Sequence, residues 1–441
     1  MPRFARSGAL PEHAPVAIVG GGQAGLSMSW HLARLGIEHV VLERSRAFAA
    51  WREERWDAFT LVTPNFQCRL PEHPYTGDEP EGFMPKPEIL EYLEAFLRDL
   101  DPPLFEGVAV TRLASGPEPQ GGFELTTSAG TLTADQVVLA VGGYHTPWAP
   151  PKVEAAIPEG VARVHSNAYR NPGALPEGAV LVVGTGQSGA QIAEDLHLAG
   201  RQVHLCLGDA PRCARRYRGR DVVSWLEDMG HYDLPIEEHP EGNDARKEAN
   251  HYVTGRDGGR DLDLRAFAVD GMSLHGLLLA VEDGVARFAD DLRTNLDAAD
   301  ETYNRINAGI DRWIDQHGIS TDEGPSTYEP VWQPPAGPPE PVDLAAAGIA
   351  SVVWCTGFRP DWAWVDVRFL DETGYPDHVR GVVSRTPGLF VLGLPWLHTW
   401  GSGRFSGVGQ DAGFIVARIA EALPSREAAN HGTQDFANVA V

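Results

Sequence analysis

Residues 16–44 read VAIVGGGQAGLSMSWHLARLGIEHVVLER, and this stretch decides the fold. It opens on a short apolar run, Val16 to Val19, and turns sharply at Gly20-x-Gly22-x-x-Gly25. Apolar residues then recur at helical spacing (Leu26, Trp30, Ala33), Gly36 offers a stop, and a second apolar run ends on Glu43. Strand, glycine turn, helix, strand and acid stand in the order that a dinucleotide-binding unit needs. Such glycines let the backbone turn tightly and approach a pyrophosphate, to which the helix start offers unpaired N–H groups and the positive end of its dipole. Glu43 can accept hydrogen bonds from a ribose diol, and its neighbour Arg44 is counted with it among the cofactor-binding residues. In a chain with 48 glycines a lone fingerprint is weak, and an ordinary strand–turn–helix is the plain alternative; here the flanking strand, helix and acid all agree.

The pattern returns at residues 180–207, VLVVGTGQSGAQIAEDLHLAGRQVHLCL, with Gly184, Gly186 and Gly189 as its glycines. Two copies predict two nucleotide-binding domains, the N-terminal one for FAD and the internal one for a nicotinamide cofactor. The position that corresponds to Glu43 is Leu207, so the second copy lacks the acid that holds a free ribose 2′-hydroxyl, although Asp209 follows closely. Arg212, Arg215, Arg216, Arg218 and Arg220 come next. Arginines pair with a 2′-phosphate through charge-assisted, forked hydrogen bonds, which points to NADPH over NADH. A solvated basic turn is the competing explanation.

The rest of the composition narrows the class. A length of 441 residues suggests two or three domains. A net charge of −25 argues against nucleic acid or an anionic membrane as partner. No apolar run approaches the roughly 18 residues of a membrane span, and the N-terminus lacks a signal-like apolar core, so a cytoplasmic location is expected. Cys68, Cys206, Cys213 and Cys355 show no CxxC or CxxxxC spacing, which predicts no metal site and no closely spaced redox pair.

Between the copies, residues 47–75 are rich in aromatics, arginine and proline. Trp51 and Trp56 could wall a flat ring system, with Arg52 and Asn65 reaching its polar edge; a packed loop with aromatic anchors is the alternative. Pro87 opens a predicted helix from Lys86 to Leu100. Residues 211–330 are the least regular part, with a helix expected over Ala280 to His317, and PPAGPPEP (334–341) reads as a stiff linker. Strands are predicted at Val352 to Trp354 and Leu389 to Leu392. A last helix, opened by the stretch Gly407 to Asp411, would aim Gly409 and Asp411 at the flavin's pyrimidine edge. The resulting class is α/β: two Rossmann-like domains, an FAD domain split over 1–150 and 342–441, and an NADPH domain at 165–341 with a partly helical insertion at about 225–330. The polar tail from Ser425 is expected to be mobile.

The paired fingerprints, Trp51 with TPN at 63–65, HSNAY at 165–169 and CTGFRPD at 355–361 resemble the class B flavoprotein monooxygenases. The resemblance covers most of the chain except 225–330. It implies FAD, usually NADPH, and a flavin C4a-hydroperoxide that delivers one oxygen atom of O2 to a small organic substrate. It also implies that Trp51 lies near the flavin, that Asn65 contacts flavin and cofactor, that His165 belongs to the signature histidine motif, and that Thr356 and Gly357 form the linker motif. Two departures narrow it. The signature FxGxxxHxxx(F/Y/W) survives only as His165-x-x-x-Tyr169, and the Trp-Pro ending of the Baeyer–Villiger subclass is missing. Heteroatom oxygenation, on N or S, is therefore expected before ester formation. An NAD(P)H-dependent reductase or oxidase is the main rival, a non-catalytic flavin sensor the remote one, and a homodimer is left open.

Overall fold

The computed structural model describes residues 9–117, 121–247 and 249–423; the tail from Ser425 lies outside the described residues. Its two large sheets grow from the two fingerprint stretches. Strand His13–Val19 pairs in parallel with His39–Glu43 on one side and Gly130–Leu139 on the other. Val16, Ala17 and Ile18 are wholly buried, as expected of a strand covered on both faces. The long strand Gly130–Leu139 serves two neighbours along its other edge: its first half pairs antiparallel with Phe123–Thr127, and its second half in parallel with Leu389–Val391. The C-terminal strand thus enters the sheet begun near the N-terminus, and the first domain is split as the sequence order implied.

Helix Gln23–Arg34 lies against helix Val408–Ala422, which follows that returning strand. Small residues permit the approach. A Cβ on Gly413 would lie 3.2 Å from the His31 ring, and one on Gly393 only 2.6 Å from Ala24. His31 Nε2 hydrogen-bonds the Gly409 carbonyl at 2.9 Å, tying the fingerprint helix to the start of the last helix.

The second sheet is all parallel, in the order Ala162–His165, Ile349–Trp354, Ala179–Val183, Val203–Cys206, Ser273–His275. Two sequence expectations are corrected by it. Strand Ile349–Trp354 lies inside this sheet, so the return to the first domain comes after Trp354 and not at 342. The partly helical insertion expected at about 225–330 is not wholly separate from the second domain: Ser273–His275 within it is the edge strand of the second sheet. The helix expected over Ala280 to His317 is also shorter. Strands Leu278–Glu282 and Val285–Phe288 form a hairpin across Asp283 and Gly284, both at positive φ, and the helix runs from Leu292 to His317. Only Val285–Phe288 alternates in burial, and the hairpin's apolar residues also fit helical spacing, so the sequence does not tell the two apart.

The second sheet ends on an imidazole pair. His204 Nδ1 and His275 Nε2 are 3.1 Å apart, and His275 stacks on Phe288 at 4.3 Å. Burial pulls His204 down and pulls His275 from 6.5 to about 4. Between those values the unfolded chain binds more protons, so stability is fully present above pH 6.5 and is lost as pH falls toward 4. Urea unfolding of His275→Phe should show a shallower decline across pH 6.5 to 4 than the parent chain.

Candidate functional site

The two glycine turns have matching stereochemistry. Gly20 and Gly184 sit at φ +114° and +103°, and a Cβ on either would meet a carbonyl oxygen, that of Ala140 at 2.4 Å or that of Cys355 at 2.7 Å. A Cβ on Gly25 would lie 1.9 Å from the Gly20 carbonyl oxygen, and one on Gly189 lies 1.9 Å from that of Gly184. These glycines seat each helix on its strand. Gly22 and Gly186, by contrast, face open space, and no side chain caps the helices they start, Gln23–Arg34 and Gln187–Leu198. Each turn therefore has the cradle that a pyrophosphate needs, with N–H groups of the first helical turn at its floor. The residues present fit two dinucleotides.

Glu43 closes the first cradle. Its carboxylate accepts N–H bonds from Gly21 (2.7 Å) and Ser45 (2.8 Å), which fixes it beside the turn. Arg44 next to it is exposed. In the second cradle Leu207 is buried, and Thr185 Oγ1 accepts the Gly208 N–H at 3.0 Å instead.

Trp51 stands at the first cradle. Its indole N–H donates to Gln23 Oε1 (2.9 Å), Gln23 donates to the Gly403 carbonyl (3.2 Å), and the Trp51 ring stacks on Phe405 at 5.1 Å. Gln23 and Phe405 were not singled out from sequence, although Gln23 lies within the fingerprint itself. Trp56 is buried against Phe59 and Tyr169.

Arg52 and Asn65 sit otherwise than expected. The Arg52 guanidinium binds Glu94 (2.8 Å) and the Ala47 carbonyl (3.1 Å), clamping the Trp51 segment to helix Lys86–Leu100. The buried Asn65 amide donates to the Glu79 carbonyl (3.0 Å) and accepts the Met84 N–H (2.8 Å). Both side chains are spent on holding the loop, which sequence spacing could not reveal because, the Ala47 carbonyl apart, their partners lie 14 to 42 residues away.

The crossings between the two sheets meet each other. Thr146–Pro147, leaving the first sheet, pairs antiparallel with Phe358–Arg359, leaving the second. His165 is placed here. Its Nε2 meets the Gly357 carbonyl (2.9 Å), its Nδ1 meets Asn167 Oδ1 (3.1 Å), and its ring lies edge-on to Phe358. Thr356 donates to the Trp148 carbonyl. His165, Thr356 and Gly357 are therefore brought together as one junction, in which both nitrogens of His165 have partners.

The arginine run divides sharply. Arg212 is buried between the rings of Tyr303 and Tyr328 (4.6 and 4.0 Å) and paired with Asp300 at 2.9 Å. Arg215 is buried too, paired with Asp221 and bonded to the Val62 carbonyl. Neither is free for a 2′-phosphate, and the expectation that they bind one is corrected. Arg216 alone of the three is exposed, on the small hairpin Arg216–Tyr217 with Arg220–Asp221.

At the last helix, Gly409 rests against Pro71, where a Cβ would be 3.1 Å from the ring. Asp411 is buried, 3.6 Å from Arg380, and burial raises its carboxyl above the usual range despite the help of Ser402 and Arg380. Among the described residues its Oδ2 and the Ser406 hydroxyl have no partner, leaving buried polar groups at this helix start for a ligand to satisfy.

Known proteins share this design. Residues 17–235 match the family model described as pyridine nucleotide-disulphide oxidoreductase. An uncharacterized CzcO-like oxidoreductase of Geobacillus kaustophilus is 29% identical over 92% of this chain and 97% of its own. Indole-3-pyruvate monooxygenase YUCCA6 of Arabidopsis thaliana is 32% identical over 44% of this chain and 47% of its own. Among solved structures, a flavin-containing monooxygenase from Stenotrophomonas maltophilia superposes with TM-score 0.64 at 18% identity, covering 93% of this chain and 99% of that one. A bacillithiol disulfide reductase from Bacillus cereus gives 0.59 at 14%, covering 93% and 100%. The chain has the fold of two-dinucleotide-domain flavoproteins. No helix among the described residues is long and apolar enough to cross a membrane.

Proposed function

We propose that the chain is an FAD-dependent, NADPH-consuming monooxygenase acting on a small organic substrate with O2, with oxygenation at nitrogen or sulfur preferred. The observation that carries this reading is the pair of matched glycine cradles on two sheets whose crossing strands meet at His165 and Gly357. The chemistry that bound FAD would supply is hydride acceptance and dioxygen activation. The protein's own share is placement. The turn at Gly20, Gly22 and Gly25 with Glu43 would hold one dinucleotide, and the turn at Gly184, Gly186 and Gly189 with Arg216 would hold the other. Trp51 and Phe405 keep the reaction space apolar and poor in water.

The thiols weigh against the reductase alternative. All four cysteines are unpaired, and burial raises each of them, Cys68 and Cys213 to about 12. None is the accessible thiolate that disulfide exchange requires.

The test is anaerobic reduction of the purified protein with NADPH, then rapid mixing with oxygen. A long-lived near-ultraviolet absorbance distinct from both reduced and oxidised flavin is expected, decaying faster when an amine or sulfide is added. Direct return of oxidised flavin with stoichiometric hydrogen peroxide would assign the chain to the oxidases or reductases instead.

A further inference from the structure

Three of the most buried arginines, Arg212, Arg215 and Arg265, are each matched with at least one aspartate. Two half-buried ones are not. Arg404 lies flat on the Trp400 ring, 3.5 Å from its centroid, with the Asn250 side-chain oxygen at 2.8 Å and the Trp400 carbonyl as polar partners. Arg55 lies over Trp51 and Phe59, at 5.1 and 5.6 Å, and bonds only the Glu54 carbonyl, at 3.3 Å. Among the described residues neither makes an ion pair, although the Glu54 carboxylate acts on Arg55 from a distance, in a chain of net charge −25.

From this placement we infer that Arg55 and Arg404 form a subsite for the carboxylate of an aromatic acid substrate at the flavin cleft. The inference rests on the flavin-site reading above.

Both guanidiniums flank one aromatic pair: Arg55 lies over Trp51, Trp51 stacks on Phe405 at 5.1 Å, and Arg404 directly precedes Phe405 in the chain. Tyr144, 60% exposed, follows Gly143, where a Cβ would touch Pro395 at 3.5 Å. Tyr144, Arg404 and the Trp51 segment thus gather off the carboxyl ends of Gly130–Leu139 and Leu389–Val391, where parallel sheets bind ligands. Burial pulls Arg404 down to about 10, a cost that no carboxylate among the described residues offsets. An incoming carboxylate would offset it, through the forked geometry that arginine offers and lysine lacks. If the two cradles take the pyrophosphates and exposed Arg216 the 2′-phosphate, as proposed above, a substrate carboxylate is the anion left for this pair. Trp400 with Tyr232 against it at 4.5 Å supplies the wall for an aromatic ring.

Tryptophan fluorescence reads the site directly, because Trp51 and Trp400 carry the two guanidiniums. Titration of the purified protein with phenylacetate should give a saturable change, and phenylacetamide should bind at least about ten-fold more weakly, the value of one charge-assisted contact. Arg404→Gln should bring phenylacetate to the amide's level, and Arg404→Lys should recover part. Arg55→Gln gives the same comparison should the Arg404 variants fold poorly, as judged by FAD content and thermal midpoint. Equal binding of acid and amide would overturn the subsite. So would an affinity for adenosine 2′,5′-bisphosphate that depends on Arg404, since the anion would then be the dinucleotide's. Bound flavin without discrimination sinks the subsite alone; discrimination without any flavin sinks the flavoprotein reading and leaves the subsite standing.

Discussion

Gly25→Ala is expected to purify with less than about a tenth of the parent's FAD, whereas Gly189→Ala keeps its FAD and loses its grip on NADPH. The added methyl in either variant would lie 1.9 Å from a backbone carbonyl oxygen of its own turn. No side chain can rotate away to relieve that contact. The helix must lift from the strand, and overpacking of this kind costs about 1–3 kcal/mol or more. The N–H groups at the helix start then no longer converge on one point, so binding suffers more than folding. For Gly189→Ala the KM for NADPH should rise by about 100-fold, equivalent to about 2.7 kcal/mol. Flavin absorbance after gel filtration measures the first effect and initial-rate kinetics the second. The two effects should be separable, because the first turn belongs to the sheet of His13–Val19 and the second to that of Ala179–Val183. Loss of FAD from Gly189→Ala would mean that the two cradles act as one site.

The separation of these cradles was legible because everything that makes a cradle is local. Gly20, Gly22, Gly25 and Glu43 fall within one strand–turn–helix–strand unit, and the turn's stereochemistry demands glycine at particular positions. The same holds for Gly184, Gly186 and Gly189. Side chains whose partners are far along the chain were not legible. Arg52 meets Glu94, Asn65 meets Met84, and Arg212 meets Asp300. A charged or amide side chain has the same appearance in sequence whether it reaches a ligand or a distant backbone atom. The boundary at 342 failed for a related reason. Val352 to Trp354 reads as an apolar strand in either domain, and only its pairing with Val180 to Val183 assigns it to the second sheet. The edge strand Ser273–His275 was missed because three residues, one of them polar and one histidine, carry too little periodicity to announce a strand.

Arg215 and Arg216 are adjacent in sequence and should behave as opposites. Arg215→Ala is expected to destabilise the fold by about 3–5 kcal/mol in urea unfolding, the cost of leaving a buried charge without its partner. The orphan would be Asp221, which is 2% exposed and whose carboxyl burial already raises above the usual range. The lost guanidinium also bonds the Val62 carbonyl and covers the Phe83 ring at 4.6 Å, so the Trp51 segment loses its tie to the second domain as well. The double variant Arg215→Met with Asp221→Asn should recover much of the loss, because the amide oxygen can still accept the Val223 N–H that Asp221 now caps while the uncompensated charge is gone. Arg216→Ala, exposed on its hairpin, should leave the unfolding midpoint where it is. Its effect should fall on the nicotinamide cofactor: a rise of about ten-fold in KM for NADPH, none for NADH, as expected for loss of one charge-assisted contact to a 2′-phosphate. Equal sensitivity to both cofactors would place Arg216 outside the phosphate site, and the preference for NADPH would then need another cation, since Arg212 and Arg215 are already occupied by aspartates.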